Sequence, residues 1–307
     1  MNASAGCRSH KLLDEVTGVT FPLLVLYPSN SPERPEKLGP YVMNLAMNAP
    51  IVDGAFPLVL ISHGGGGSHL VYRTLAAYLA RNGFVVAMPE HPGNNRNDNS
   101  LEDTIANLTN RPRHLRLVTD WAFSIDAFGP SLLPDSVAIV GHSMGGYTAL
   151  AVAGGVPTSF PRESPDRQLR QIEVIPDSRV KALVLLTPAT PWFMAAGALR
   201  GVRLPILLWT AEKDEYTPPF HADLVKAGVP DAALIEHRIA ANAGHFSFLS
   251  PFPAVMTNPG FPPSQDPEGF DRERFHQEMN AGILAFLTRV ISAPRPACKL
   301  ATTGPSE

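Results

Sequence analysis

Short apolar runs rich in β-branched residues recur along the chain, separated by stretches with helical spacing. The runs are Val19–Tyr27, Phe56–Ser62, Phe84–Met88, Val137–Val140, Val180–Thr187, Leu204–Thr210 and Ala233–Ile239. From Phe56 to Thr210 each run is continuous rather than alternating. Gly, Pro or Asp bounds it, as suits a strand buried on both faces of a parallel sheet. The stretches His69–Asn82, Pro112–Phe128, Met144–Ala153 and Pro219–Ala227 read as helices. Strand alternating with helix predicts crossover connections, with helices on both faces of one sheet, an α/β fold. Arg272–Ser292 is the clearest helix, with Phe275, Met279, Ile283, Phe286, Leu287 and Val290 on one stripe at spacings of three and four.

Three stretches break the rhythm. Pro28–Gly54 is loop-rich, Ser250–Phe270 holds six prolines without periodicity, and Ala153–Asp177 is irregular and polar. Long irregular stretches in a compact domain are usually functional, and residues 153–177 are read as a small lid. No repeat or linker divides the chain. The expected organisation is an N-terminal extension over 1–18, one domain over 19–292 with Pro-rich insertions, and a tail over 293–307. Proline supplies 31 of 307 residues, about twice its usual share. Without a period these prolines predict stiff loops rather than a fibrous or low-complexity chain.

Charge narrows the function classes. The net charge is −3 and only 17% of residues are charged, with no basic run to grip nucleic acid. Two cysteines, Cys7 and Cys298, lie near opposite ends and read as free thiols rather than as a disulfide framework or a zinc site. The first twenty residues carry Arg8, His10, Lys11, Asp14 and Glu15 and no apolar core of a signal peptide, so the expected location is the cytoplasm. No stretch of eighteen apolar residues would span a membrane.

The strongest chemical signal is Gly141-His-Ser143-Met-Gly145, directly after a buried strand and directly before a helix. In a Gly-x-Ser-x-Gly turn of this kind the serine sits on a strained corner, and the flanking glycines keep Cβ atoms away from strand and helix. A serine needs a base, and the chain order that goes with this turn is Ser, then Asp or Glu, then His. Asp214 follows the strand Leu204–Thr210, and His245 follows the strand Ala233–Ile239. Both fall on the rim where ligands bind in open α/β sheets. In this reading His245 takes the Ser143 proton and returns it to the leaving group, and Asp214 fixes the imidazole tautomer. Glu212 comes early in its loop, Glu215 is the adjacent position, and Asp177 precedes its strand. His142 reads as packing.

The run Ser62-His-Gly64-Gly-Gly-Gly67 follows the strand Phe56–Ile61 and lacks the Lys-Ser/Thr of a phosphate loop. Its glycines allow a close backbone approach. The amides of Gly65 and Met144 are therefore the candidate oxyanion donors. Trp192, Phe193, Met194, Phe246, Phe248 and Phe252 are candidates for an apolar pocket. Glu90-His91-Pro-Gly reads as a turn beside it. No His-Glu-x-x-His or similar ligand spacing suggests a metal, and no cofactor is expected.

With the glycine run, Glu90-His-Pro-Gly, Gly141-His-Ser-Met-Gly-Gly, Glu212-Lys-Asp-Glu, Gly244-His-Phe-Ser-Phe and Phe270-Asp-Arg-Glu-Arg-Phe-His, the chain resembles α/β-hydrolases from about Val19 to Ile291. Within these it is similar to the dienelactone-hydrolase-like group, which overlaps the bacterial relatives of platelet-activating-factor acetylhydrolases. The resemblance implies a mostly parallel sheet flanked by helices and a serine esterase acting on a small ester through an acyl-enzyme. Two departures matter. Dienelactone hydrolases proper use cysteine where this chain has Ser143. The acetylhydrolases take their acid after the preceding strand, where this chain reads Thr187-Pro-Ala-Thr190 with no carboxylate, which leaves Asp214. Thioester or amide hydrolysis, acyl transfer, and a non-catalytic binding module remain as alternatives. The sequence leaves the oligomeric state open.

Overall fold

The computed structural model describes residues 3–291, so the expected tail over 293–307 and Cys298 lie outside the described residues. In chain order the strands are β1 Ser4–Asp14, β2 Val19–Ser29, β3 Arg34–Leu38, β4 Tyr41–Met47 and β5 Phe56–Ser62. Helix α1 Arg73–Arg81, β6 Val85–Pro89, α2 Ile105–Ala122, β7 Leu132–His142 and α3 Met144–Val152 follow. The rest comprises β8 Val180–Leu186, β9 Ile206–Ala211, α4 Phe220–Gly228, β10 Ile235–Ala240 and α5 Arg272–Ile291.

The strands form one sheet in the order β10-β9-β8-β7-β5-β6-β2-β1-β4-β3. From β10 to β6 every pairing is parallel, and β2 joins β6 antiparallel. The chain starts its parallel run at β5, steps to β6 on one side, then returns to β7 on the other. The loops after β5 and β7 therefore diverge at a switch point, where an open α/β sheet forms a crevice.

The continuous apolar runs are explained by burial on two faces. Leu58, Leu60, Val137, Ile139, Leu183 and Leu185 face the side covered by α2, α3 and α4. Their neighbours Val59, Ile61, Ala138, Val140, Ala182 and Val184 face α1 and α5. The α5 stripe lies there as expected, with Met279, Ile283 and Leu287 fully buried.

Three sequence expectations need correction. The described part of residues 1–18 is not an extension: β1, Ser4–Asp14, pairs with β2 along its whole length. From Arg8 onward its exposure alternates, with Ser9, Lys11 and Leu13 exposed and Arg8, His10 and Leu12 half-buried, as in a strand with one solvated face. Pro28–Gly54 is not only loop, because β3 and β4 form an antiparallel hairpin in it, and β4 pairs with β1. The helix expected to start at Pro112 starts a full two turns earlier, behind the Thr104 hydroxyl, which accepts from the Asn107 amide at 3.1 Å. Pro112 thus lies inside α2. It has no N–H for the carbonyl four residues back, and that Leu108 carbonyl instead accepts the Tyr147 hydroxyl of α3 at 2.9 Å.

Residues 153–177 hold one short 3-10 turn, Pro161–Glu163, and one isolated bridge, Thr158 to Gln171. No helix among the described residues is long and apolar enough to cross a membrane.

The Pro112–Tyr147 pair predicts non-additive stability. Tyr147→Phe strands the buried Leu108 carbonyl and should cost about 1–3 kcal/mol in urea unfolding. In a Pro112→Ala background the restored N–H serves that carbonyl, and the same substitution should cost clearly less. Equal costs in the two backgrounds would show that the hydroxyl contributes packing only.

Candidate active site

Ser143 stands between β7 and α3 with φ 53° and ψ −120°. This is a region that residues with a Cβ rarely adopt, at a cost of order 1–3 kcal/mol. The corner is pinned on three sides. The Ser143 amide donates to Leu186, and the Ser143 carbonyl accepts from Gly146 and Ala189. A Cβ on Gly141 would lie 2.2 Å from the Gly145 carbonyl oxygen, and one on Gly145 would lie 1.9 Å from that of Ser62. Glycine at both positions lets α3 sit directly on the ends of β5 and β7.

Asp214 and His245 meet on the same rim, with Asp214 Oδ2 2.9 Å from His245 Nδ1 and both side chains buried. Asp214 also accepts the Tyr216 and Thr217 amides at 2.8 Å each and the Thr217 hydroxyl at 2.7 Å. Burial alone would raise its pKa. The hydrogen bond and charge of His245 and the bonds from Thr217 outweigh that and hold the carboxyl below its ordinary range. An ionised Asp214 keeps the proton of a neutral His245 on Nδ1 and leaves Nε2 free to accept.

The rival acids do not reach this imidazole. Glu212 accepts from the Asn242 amide, and Glu215 is exposed. Ser143 and His245 border the same cavities, with no hydrogen bond of 3.5 Å or less between their side chains. Such contacts often tighten only when substrate binds.

In the glycine loop the Gly64 amide donates to the Tyr72 hydroxyl at 3.4 Å, and the Gly67 amide donates to the Gly64 carbonyl at 3.2 Å. Gly65 and Met144 have no acceptor for their amides. A Cβ on Gly65 would stand 3.8 Å from Met144 Cβ, which puts the loop against the first turn of α3.

Ser143, Gly65, His245 and Phe246 border two cavities, of about 580 Å³ and about 540 Å³. The first is lined by Tyr41, Leu70, Val71, Phe246, Phe252 and Phe261. The second is lined by Glu102, Asp103, Asn107, Arg162, Glu163 and Trp192. Of the candidate pocket residues, Phe246, Phe252 and Trp192 line the cleft. Phe193 does not: it is buried in the core and stacks on Tyr147 at 5.6 Å. Phe248 is core as well, whereas Met194 is exposed. Sequence reading missed Tyr41 and Phe261, which lie in segments without periodicity.

His142 does more than pack. Its Nε2–H donates to the His245 carbonyl at 3.0 Å and its ring lies 4.8 Å from that of His245. Burial, then repulsion from His245, pushes its pKa down to about 3, so it supports His245 as a neutral donor.

Beneath the glycine loop lies a buried polar chain. The His91 amide donates to His63 Nε2 at 3.0 Å, so His63 carries its proton on Nδ1 and donates to the Gly64 carbonyl. His114 Nε2 lies 3.5 Å from Asp14, which also pairs with Arg113 at 2.6 Å. With His114 donating to Asp14, its Nδ1 accepts from His91 Nδ1 at 3.2 Å, and His91 Nε2 accepts the Ser62 hydroxyl at 2.9 Å. Among the described residues no three His, Cys, Asp or Glu side chains are grouped as metal ligands.

A protein family described by the alpha/beta hydrolase fold matches residues 57–209. The chain has the α/β-hydrolase fold. Among solved structures it is similar to a ferulic acid esterase from Streptomyces cinnamoneus, with a TM-score of 0.68 and 19% identity, over 97% of this chain and 95% of that one. None of the curated proteins is matched by sequence. In this α/β-hydrolase fold the glycine loop follows β5, Ser143 follows β7, and Asp214 and His245 follow β9 and β10.

The buried histidines predict acid sensitivity. Burial first, then Arg111, holds His63 and His91 well below 6.5, and burial holds His114 at about 4. Near neutral pH all three are neutral in both states. Below about 6.5 the unfolded chain gains protons that the folded chain refuses, so stability falls with pH and levels off only below the folded values. Urea unfolding between pH 7 and pH 4 should show this loss. His114→Asn should reduce its slope, and an unchanged slope would place the acid sensitivity elsewhere.

Proposed function

We propose that the protein is a serine hydrolase that cleaves a carboxylic ester through an acyl-enzyme. The observation that carries this reading is the buried Asp214–His245 pair at 2.9 Å on the rim of a cleft that Ser143 also borders. In this mechanism His245 Nε2 accepts the Ser143 proton as Oγ attacks the acyl carbon. The tetrahedral oxyanion forms against the Gly65 and Met144 amides. Its collapse expels the alcohol, which takes the proton from His245. Water then repeats the sequence on the acyl-enzyme. Asp214 stabilises the imidazolium in both halves.

The two unlike cavities favour an ester with one apolar and one polar half. The aromatic cavity suits an alkyl or aryl group, and the second offers carboxylates and amides to a group that bears hydroxyls. The esterase named among the similar structures fits a small-ester substrate. An acid after β9 rather than after β8 favours the dienelactone-hydrolase-like arrangement over that of the acetylhydrolases. Thioester or amide cleavage and acyl transfer would use the same groups.

A fluorophosphonate probe should label the wild type and leave Ser143→Ala unlabelled. Asp214→Asn should lower kcat by about 10⁴ by favouring the wrong imidazole tautomer, whereas Glu212→Gln and Glu215→Gln should stay near wild type. Labelling of Ser143→Ala, or a silent Asp214→Asn, overturns the assignment. On p-nitrophenyl esters Phe261→Ala should raise KM for long acyl chains more than for acetate. An equal effect on all of them would remove Phe261 from the apolar site.

A further inference from the structure

Arg111 is fully buried, and no carboxylate lies within ion-pair distance of it among the described residues. Taking an unpaired cation out of water is expensive unless fixed dipoles replace the hydration. Here they do. The guanidinium donates to the His63 carbonyl, to Asn94 Oδ1 at 2.7 Å, to Thr148 Oγ1 at 3.0 Å and to Ser62 Oγ at 3.4 Å. Burial lowers its pKa to about 9, so it remains charged at neutral pH. Ser62 also links it through His91 and His114 to Asp14, whose carboxylate is paired with Arg113.

The four acceptors are not a random set. His63 opens the glycine loop, and its carbonyl belongs to the peptide just before Gly64-Gly65. Asn94 flanks Gly65, whose Cβ would stand 3.8 Å from the Asn94 amide. The Thr148 hydroxyl passes its own proton to the Met144 carbonyl at 3.1 Å, in the first turn of α3. One planar cation thus grips both segments whose amides, Gly65 and Met144, have no acceptor.

We propose that Arg111 is a positioning residue for the oxyanion hole, holding the Gly65 and Met144 amides at a fixed separation and adding an uncompensated positive charge behind them. This rests on the serine-hydrolase reading of the same site. Such a group acts on the transition state more than on bound substrate, because only the tetrahedral adduct carries the oxyanion. A merely structural cation would lower the melting temperature and leave the chemistry of the folded fraction alone.

The test compares Arg111→Lys and Arg111→Met with the smaller changes Thr148→Val and Thr148→Ser. Each is measured for kcat and KM on p-nitrophenyl acetate and for inhibition by phenylboronic acid, which forms a tetrahedral adduct on an activated serine. Arg111→Lys should lose about 10- to 100-fold in kcat, the scale of a displaced donor. It should lose a matching factor in boronate affinity, with KM within about threefold. Thr148→Val should show the same pattern more weakly, and Thr148→Ser, which keeps the hydroxyl, should recover it. If the Arg111 variants do not fold, the Thr148 pair decides. Folded variants that keep both kcat and boronate affinity, or that change KM alone, overturn the proposal while the hydrolase reading stands. A wild type that neither hydrolyses the ester nor takes a fluorophosphonate overturns both.

Discussion

Helix α3 can rest on the sheet only because Gly145 has no side chain to meet the Ser62 carbonyl, where a Cβ would come within 1.9 Å. That one clearance sets the rest of the rim. It brings the first turn of α3 against the end of β5, so the loop leaving β5 passes close to Met144. It also forces the chain to turn between β7 and α3 within a single residue, and this puts Ser143 at φ 53°. The strain at Ser143 is held by neighbours that cannot move independently: Leu186 at the end of β8, Ala189 after it, and Gly146 within α3 itself. A strained corner persists only when its surroundings over-determine it, and here three segments do so.

Much of this was legible in the chain because the parallel strands leave an unusual trace. Burial on two faces removes polar alternation, so β5 through β9 show as unbroken apolar runs with ends within about two residues of those observed, except that β7 starts five residues earlier, at Leu132, through a more polar stretch. The order of Ser143, Asp214 and His245 follows from placing each just past such a run. The antiparallel half left a weaker trace. β1 holds a polar run, Arg8 to Lys11, where apolar residues would alternate, and β3 and β4 are short and carry Arg34, Glu36 and Lys37. They pair with each other and, through β4, with β1 rather than with the central parallel strands, and no local pattern in Pro28–Gly54 names those partners. Tyr41 therefore reached the cleft unannounced, carried by a hairpin, and Phe261 came from a Pro-rich segment with no regular element to index it.

Pro112 misled the reading for a definite reason. A proline is tolerated at the first turn of a helix and costs a hydrogen bond inside it. Local rules therefore put the start of α2 at Pro112. The start at Ile105 is possible because Tyr147, on a different helix, supplies the missing donor to Leu108. A compensation that comes from 39 residues away is tertiary, and no window of sequence displays it. The same misreading placed Arg111 outside any helix and hid the cation that α2 delivers beneath the glycine loop.

The site therefore contains two buried charges handled by opposite means. Asp214 sits at the rim with amides and a hydroxyl aimed at it, and His245 is the one group beside it that can become positive. Its negative charge is available at the moment a proton moves to the imidazole. Arg111 lies below the rim among neutral acceptors, and Ser62 and two imidazoles link it to Asp14, a carboxylate already paired with Arg113. Direct pairing with a carboxylate would have cancelled the Arg111 charge locally. Neutral acceptors satisfy its hydrogen bonds while leaving its positive charge beneath the loop above. In a low-dielectric setting that charge is screened far less than in water. The polarity of the whole rim then follows from burial: Asp214 behind His245, Arg111 beneath the glycine loop and the first turn of α3, and Ser143 on the strained corner between them.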